Sequence, residues 1–247
     1  RRPPRSTPLY SSAASDVYKR QSFTDRLAML EDESVRSSLC DLDVEPQLNF
    51  DISYLLFDDA VDYRHEYENS LTSHARRMGM SPVEAFIQLN RQHKGRVVIY
   101  HPALNQSMEA IEEMLVNPTV AMGLADSGAH VGQIMDASSP TWLMSYWVRE
   151  RGVLSVEEAV RGWTSDTANL FGVRERGVLK EGTYADENVI DLDNLAIDLP
   201  EYKHDFPGGA GRYVQTGRGY DFVLVNGQVF MESGEHSGAL SGQILRS

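Results

Sequence analysis

The sequence is poor in cysteine and in long apolar runs, and both shortages exclude classes of protein. Its single cysteine, Cys40, rules out an intramolecular disulfide and a metal site built from several cysteines. Such low cysteine content is typical of a reducing compartment, so we expect a cytoplasmic protein. No run of about 18 apolar residues occurs, which argues against a membrane-spanning helix.

Basic residues are also scarce relative to acidic ones. The 247 residues include 23 Lys and Arg against 36 Asp and Glu, a formal charge of −13 at pH 7. Because binding to a phosphate backbone needs a basic surface, this balance argues against nucleic acid as the main partner. The length suits one large domain, or one domain with a small second one.

The first 21 residues differ in composition from all that follows. They hold five of the basic residues and one acidic residue, with no apolar segment of the length that a secretory signal needs. Removing them leaves 18 basic and 35 acidic residues, a formal charge of −17. The stretch resembles translated adaptor sequence, so we expect residues 1–21 to be a non-native tail and the chain to be the C-terminal fragment of a longer protein. An Arg- and Ser-rich transit peptide is the alternative.

Residues 22–172 alternate between predicted helices and short apolar runs. Ser81, Ser107 and Ser155 are predicted N-caps, and a glutamate three residues after Ser81 and after Ser155 completes a capping box. Strands are predicted at 51–57, 96–100 and 120–124. This alternation favours an α/β fold with parallel strands.

Residues 173–247 are predicted to form a separate, β-rich tail domain. Strands are predicted at 189–192, 222–225 and 228–231. Asn226-Gly227, between the last two, is a strong signal for a tight hairpin turn.

The clearest candidate for chemistry is the polar segment that follows the predicted strand 120–124. Asp126 stands where a strand end of a parallel α/β fold places catalytic groups, and it suits proton transfer or metal binding. His130 is placed to bind a substrate oxygen or to orient Asp126, and Gly128 permits a tight turn beside a ligand. The alternative is that Asp126 and Ser127 only cap the next helix.

The remaining histidines give weaker signals. His101 directly follows the predicted strand 96–100, so we expect it to face the same strand-end site and bind substrate; a loop histidine before Pro102 is the alternative. His65 lies in an acidic segment and is expected to be a solvated charge partner, and His204 is expected to be structural. No His-x-His or His-Glu-x-x-His motif occurs, so recognisable motifs of this chain do not complete a metal site.

Several stretches, in this order, resemble the amidohydrolase superfamily and, within it, the N-acyl-D-amino-acid deacylases (D-aminoacylases). They are MSPVEAF (Met80–Phe86), GLADSGAHVG (Gly123–Gly132), VLSVEEAVRGWTSDTANLFGV (Val153–Val173), RGVLKEGTYADENVID (Arg176–Asp191), HDFPGG (His204–Gly209) and VLVNGQVFMESGEHSGALSGQILR (Val223–Arg246). The resemblance extends from about Ser22 to the C-terminus, and the combination is specific although each piece alone is weak.

The resemblance implies a fold and a reaction. It implies that residues 22–172 are the C-terminal part of a TIM-type (β/α)8 barrel and that residues 173–247 form part of a small β-sandwich. It implies a metal-dependent hydrolase, usually with zinc, that cleaves the amide of a small N-acyl amino acid. Asp126 matches the aspartate that serves as general acid/base and metal ligand, and His130 matches a histidine near it. The other metal ligands are expected upstream of this chain, so the fragment alone is expected neither to retain zinc nor to be active.

Two other functions remain open from the sequence. One is a cyclic-amide hydrolase or a deaminase of the same superfamily with the same aspartate. The other is a non-enzymatic α/β binding protein, which the missing metal motif favours. A His-x-His motif upstream in the gene would exclude the second.

Overall fold

The computed structural model describes residues 22–41, 49–56, 61–123, 125, 127–133 and 137–245, which form two compact units. The first unit comprises the described residues up to 56 together with 63–106. The second comprises residues 61–62 and the described residues from 107 onward. The domain boundary predicted at residue 172 stays a prediction.

The first unit consists of four helices and two short strands. In chain order these are α1 (Phe23–Met29), α2 (Glu33–Cys40), β1 (Tyr54–Leu56), α3 (Leu71–Met78), α4 (Pro82–Gln92) and β2 (Val98–Tyr100), with 3-10 turns at Phe50–Ile52 and Tyr67–Asn69. The predicted capping box of α4 is confirmed, because the Ser81 hydroxyl accepts from the Glu84 amide while the Glu84 carboxylate accepts from the Ser81 amide. The apolar faces of α3 and α4 pack against β1 and the start of β2, and six buried residues form this core: Leu55, Leu71, Ala75, Ala85, Leu89 and Val97.

Strands β1 and β2 pair antiparallel, which corrects the parallel arrangement predicted from the alternation of elements. Tyr54 lies opposite Tyr100, and Leu56 lies opposite Val98. A parallel pair is usually joined by one crossover helix. Here two helices, α3 and α4, lie between the strands in the chain. The single crossover that sets a parallel direction is therefore missing, and β2 runs in the direction opposite to β1.

The second unit begins with helices packed around an aromatic core. They are α5 (Met108–Leu115), α6 (Ser139–Trp142), which continues as a π-helical segment (Leu143–Glu150), and α7 (Val156–Arg161), which continues through Gly162–Asp166 to Thr167–Leu170. The predicted capping box at Ser155 and Glu158 is confirmed. The buried core residues are Leu143, Tyr146, Trp147, Val148, Leu154 and Ala159. None of the described helices has both the length and the apolar character needed to cross a bilayer.

The described strands of the second unit all pair antiparallel. The strands are β3 (Glu187–Ile190), β4 (Ala196–Ile197), β5 (Glu201–Lys203), β6 (Arg212–Val214), β7 (Gly217–Arg218), β8 (Tyr220–Val225), β9 (Gln228–Glu232) and β10 (Glu235–His236). Four of them form one sheet in the order β10-β9-β8-β3, while β4 pairs with β7 and β5 with β6. The predicted hairpin is confirmed: Asn226 and Gly227 both adopt positive φ, at 51° and 76°, as a type I′ turn requires.

The strand predicted at 120–124 is not formed by its described residues, 120–123; Leu124 lies outside the described residues. Val120 is 44% exposed, whereas a strand inside a parallel sheet is buried on both faces. The Met122 carbonyl instead accepts a hydrogen bond from the Thr167 hydroxyl at 2.9 Å. The apolar composition predicted a buried strand, but of the described residues only Met122 is half-buried, and a strand also needs a neighbouring strand to bond its backbone groups.

Candidate active site

The segment that carries Asp126 is described on both sides of it, although Asp126 itself lies outside the described residues. Residues 127–133, named here the histidine loop, form a series of turns. Gly128 adopts φ 94° and His130 adopts φ 48°, and the His130 carbonyl accepts from the Gln133 amide at 2.7 Å. The His130 side chain is exposed. Left-handed backbone is uncommon for a residue other than glycine, and such geometry persists only where surrounding contacts hold it.

One of those contacts comes from strand β6. The Tyr213 amide donates to the Val131 carbonyl at 2.9 Å, so the residue after His130 is bonded to the edge of the β5–β6 hairpin. Tyr213 lies opposite Tyr202 in that hairpin. The histidine loop is thus fixed to a regular element far along the chain, which sequence periodicity did not indicate.

The β5–β6 hairpin presents a cluster of rings beside the histidine loop. The Tyr202 ring meets the Tyr213 ring edge-on at 5.0 Å and the His204 ring edge-on at 5.3 Å. Burial raises the pKa of the Tyr213 hydroxyl, and the nearby Tyr202 adds to the effect. Tyr213 therefore stays neutral at physiological pH and offers a hydroxyl that both donates and accepts.

The turn that joins β5 to β6 is held by charged and polar contacts. The Arg212 guanidinium donates to both carboxylate oxygens of Asp205, at 2.9 and 2.7 Å, and this bonding lowers the pKa of Asp205. Arg212 also lies over the Phe206 ring, 5.2 Å from its centre. His204 donates from Nδ1 to the Gly209 carbonyl at 2.9 Å, because a carbonyl oxygen can only accept. These contacts fix the conformation of the β5–β6 hairpin, to which the histidine loop is hydrogen-bonded.

His101 lies in the first unit, directly after β2. Its Nδ1 is 3.1 Å from the hydroxyl of Ser53, which is fully buried. That hydroxyl donates its only proton to the Asn49 carbonyl at 2.7 Å, so His101 Nδ1 donates to it. The neutral ring then has its lone pair on Nε2, the nitrogen that would bind a substrate proton or a metal. Because His101 and His130 belong to different units, their common site stays a prediction.

His65 was expected to be a solvated charge partner, and this expectation is wrong. Its ring stacks on Tyr54 with centroids 5.5 Å apart and planes at 9°. Nδ1 donates to the Gln106 carbonyl at 3.0 Å, and Nε2 lies 3.1 Å from the Tyr100 hydroxyl. Burial lowers the pKa of His65, although the bond to Gln106 opposes that shift. Because the sequence neighbours of His65 are acidic, the sequence did not indicate that His65 is buried. Its burial depends on the rings of Tyr54 in β1 and Tyr100 in β2.

The stability of the first unit is expected to fall as pH is lowered from about 8 to about 5.5. The pKa of His65 is lowered by burial, and that of His74 is lowered by burial and by Arg77. The unfolded chain therefore binds protons at a higher pH than the folded chain, so acid favours unfolding. Urea unfolding followed across this range should show a weaker pH dependence in His65→Gln than in the unchanged protein. Identical pH dependence in the two proteins would contradict the role of His65.

A metal site is not assembled by the described residues. Within them, no group of three or more His, Cys, Asp or Glu side chains lies close enough to hold an ion. The role of Asp126 as a metal ligand stays a prediction, as do the catalytic roles of Asp126 and His130 and the substrate contact of His101. Tyr202 and Tyr213 were missed by sequence reasoning, and the only signal near them was the HDFPGG stretch that begins at His204.

Comparison with known proteins gives a family and several distant relatives. The sequence model of the Amidohydrolase family matches residues 59–231. Two uncharacterized proteins, one from Mycobacterium tuberculosis and one from Mycobacterium bovis, are each 27% identical over 190 residues, which is 68% of this chain and 30% of theirs. A 5-methylthioadenosine/S-adenosylhomocysteine deaminase of Halothermothrix orenii is 27% identical over 148 residues, 56% of this chain and 33% of that protein. The chain therefore spans about a third of the length of these curated relatives.

Solved structures with partial similarity include deacylases. A D-aminoacylase is 23% identical with a TM-score of 0.45, and the match covers 72% of this chain and 34% of that one. An N-acyl-D-glutamate deacylase from Bordetella bronchiseptica, crystallised with zinc and a phosphonate inhibitor, is 25% identical with a TM-score of 0.41. That match covers 79% of this chain and 38% of the deacylase.

Proposed function

Because the chain belongs to the amidohydrolase family, we propose that it takes part in the metal-dependent hydrolysis of a carbon–nitrogen bond. The substrate class that we propose is a small N-acyl amino acid, of the D series, whose amide is cleaved. The family match includes both Asp126 and His130, and the ordered stretches that resemble N-acyl-D-amino-acid deacylases support the finer assignment. The TIM-type barrel predicted for residues 22–172 and the β-sandwich predicted for the tail belong to the same proposal for the complete gene product, although β1 and β2 of this chain pair antiparallel.

The roles proposed for the protein groups are proton transfer and hydrogen bonding. Asp126 accepts a proton from the attacking water as the water oxygen bonds to the amide carbonyl carbon. The same carboxyl group returns that proton to the nitrogen as the C–N bond breaks, which releases an amine and a carboxylate. His130 donates or accepts a hydrogen bond at a substrate oxygen.

The observation that carries this proposal is the conformation of the histidine loop. His130 is exposed in left-handed backbone, and the next residue is bonded to the β5–β6 hairpin. A loop that served only to cap a helix needs neither feature. Asn226 has left-handed backbone in an ordinary hairpin turn, so the conformation alone does not mark a site. Its combination with an exposed imidazole and with the bond from β6 is what supports a place for His130 beside a ligand.

The resemblance also makes Asp126 a zinc ligand. The described residues hold no cluster of three metal-binding side chains, so this part of the chain does not form the zinc site by itself. The other ligands are proposed to lie outside it, in the complete gene product.

Deamination is the second candidate, and one observation favours it. The relative from Halothermothrix orenii is named as a deaminase of 5-methylthioadenosine and S-adenosylhomocysteine. Deamination also attacks a carbon bonded to nitrogen with activated water, so the same aspartate would serve.

The two candidates are separated by assaying the complete gene product on both substrate classes. Free amine should be released from N-acetyl-D-amino acids, more slowly from the L enantiomers, and not after a chelator has removed the metal. Returning zinc should restore the rate. Ammonia release from a 5-methylthioadenosine substrate, without amide cleavage, would replace the first candidate by the second. No turnover on either class, with zinc present, would overturn both and favour the binding protein.

A further inference from the structure

The Tyr202 side chain occupies a gap that exists only because residue 211 is glycine. A Cβ atom built on Gly211 would lie 2.3 Å from Cε1 of the Tyr202 ring and 2.9 Å from its hydroxyl oxygen. Real Cβ atoms do not approach that closely, so any side chain at position 211 would displace the ring. The backbone of Gly211 lies outside the left-handed region, so the obstacle to alanine there is the Tyr202 ring, which would have to move, and not the dihedral angle.

The hydroxyl end of the same ring lies beside the histidine loop. A Cβ atom built on Gly132 would lie 3.5 Å from the Tyr202 hydroxyl oxygen, an ordinary van der Waals distance. Two glycines, one in the hairpin and one in the loop, thus border the phenol of Tyr202.

Tyr202 and Tyr213 therefore act as a pair on consecutive residues of the histidine loop. The Tyr213 amide bonds to the Val131 carbonyl, while the Tyr202 hydroxyl lies beside Gly132 and the Tyr202 ring packs edge-on against the Tyr213 ring. The Tyr213 amide points away from Tyr202, its cross-strand partner, and toward the histidine loop. The hydrogen bond from Tyr213 and the side chain of Tyr202 therefore both reach the loop from the β5–β6 strand pair.

We infer that Tyr202 is a positioning residue that holds the histidine loop on the β5–β6 hairpin and so fixes the direction of His130. The effect on catalysis by His130 rests on the proposed function. The holding of the histidine loop by Tyr202 rests on the contacts alone. Glycine at position 132 supplies no side chain of its own to hold this part of the loop. The hydroxyl end of Tyr202 reaches that place from strand β5.

The two glycines provide a matched pair of variants. Gly211→Ala adds a methyl group that must displace the Tyr202 ring, whereas Gly132→Ala adds the same methyl group at a distance that the ring tolerates. Tyr202→Phe keeps the ring and removes the hydroxyl, and Tyr202→Ala removes the ring. Tyr202 is 49% exposed, so its truncation should not unfold the hairpin.

Hydrogen exchange at the Tyr213 amide tests the structural part directly. Exchange should become at least about tenfold faster in Tyr202→Ala and Gly211→Ala, because the Tyr213–Val131 bond then opens more often. It should stay within about twofold of the unchanged protein in Gly132→Ala. In Tyr202→Phe it should be intermediate, because that variant keeps the ring against Tyr213 but loses the hydroxyl beside Gly132. Unchanged exchange in Tyr202→Ala would overturn the inference, whatever the protein hydrolyses.

The catalytic part is tested by kinetics of amide hydrolysis in the complete gene product. Loss of direction at His130 should lower kcat about tenfold in Tyr202→Ala and Gly211→Ala with little change in thermal midpoint, and Tyr202→Phe should recover part of the rate because it keeps the ring against Tyr213. If the rate of these variants falls only in proportion to the fraction of folded protein, the positioning role of Tyr202 is wrong. If the unchanged protein hydrolyses no amide, the proposed function fails, while amide exchange still decides whether Tyr202 holds the loop.

Discussion

Replacing Asp126 with asparagine is expected to lower kcat for amide hydrolysis by at least about 100-fold in the complete gene product. Asparagine has nearly the same shape but cannot accept the proton of the attacking water or return it to the leaving nitrogen. Both steps would then depend on bulk water. The measurement is the steady-state rate of amine release at saturating substrate, together with zinc content.

Zinc content separates the two roles proposed for Asp126. A variant that keeps its metal and loses turnover has lost proton transfer, whereas a variant that loses metal has lost a ligand as well. Asp193→Asn is the matched control, since it removes the same charge from an exposed carboxylate in a described loop of the second unit. Near-normal turnover in Asp126→Asn would remove Asp126 from the mechanism.

Replacing Leu71 with alanine is expected to destabilise the first unit by about 2–5 kcal/mol. Leu71 is 1% exposed and begins α3, where it packs among Leu55, Ala75 and Leu89. Removing its branched end forfeits buried apolar surface and leaves a cavity that the short helices and the two strands fill only in part. Urea unfolding, monitored by hydrogen exchange of first-unit amides, measures the loss.

Leu104→Ala is the matched control for Leu71→Ala. The two leucines belong to the same unit, but Leu104 is 79% exposed, so its truncation should change stability by less than about 0.5 kcal/mol. Equal losses in the two variants would show that the cluster around Leu71 is not the core of this unit.

Local chemistry in the sequence was sufficient to predict several elements. The capping boxes at Ser81 and Ser155 and the turn at Asn226-Gly227 all form as predicted. Each depends on side chains and backbone groups within four residues of one another, so a short window of sequence contains all the interacting groups. The ordered family stretches likewise identified the amidohydrolase family from sequence alone.

Tertiary structure decided the features that depend on distant residues. The antiparallel pairing of β1 with β2, the absence of a strand at residues 120–123 and the burial of His65 each depend on partners contributed by other elements. The bond between Tyr213 and Val131 joins segments far apart in the chain, and no spacing rule relates them. Sequence determined the family and the local turns because their signals are contiguous. Only the tertiary structure brings Val131, the residue after His130, against strand β6, because strand pairing and burial are properties of the whole unit.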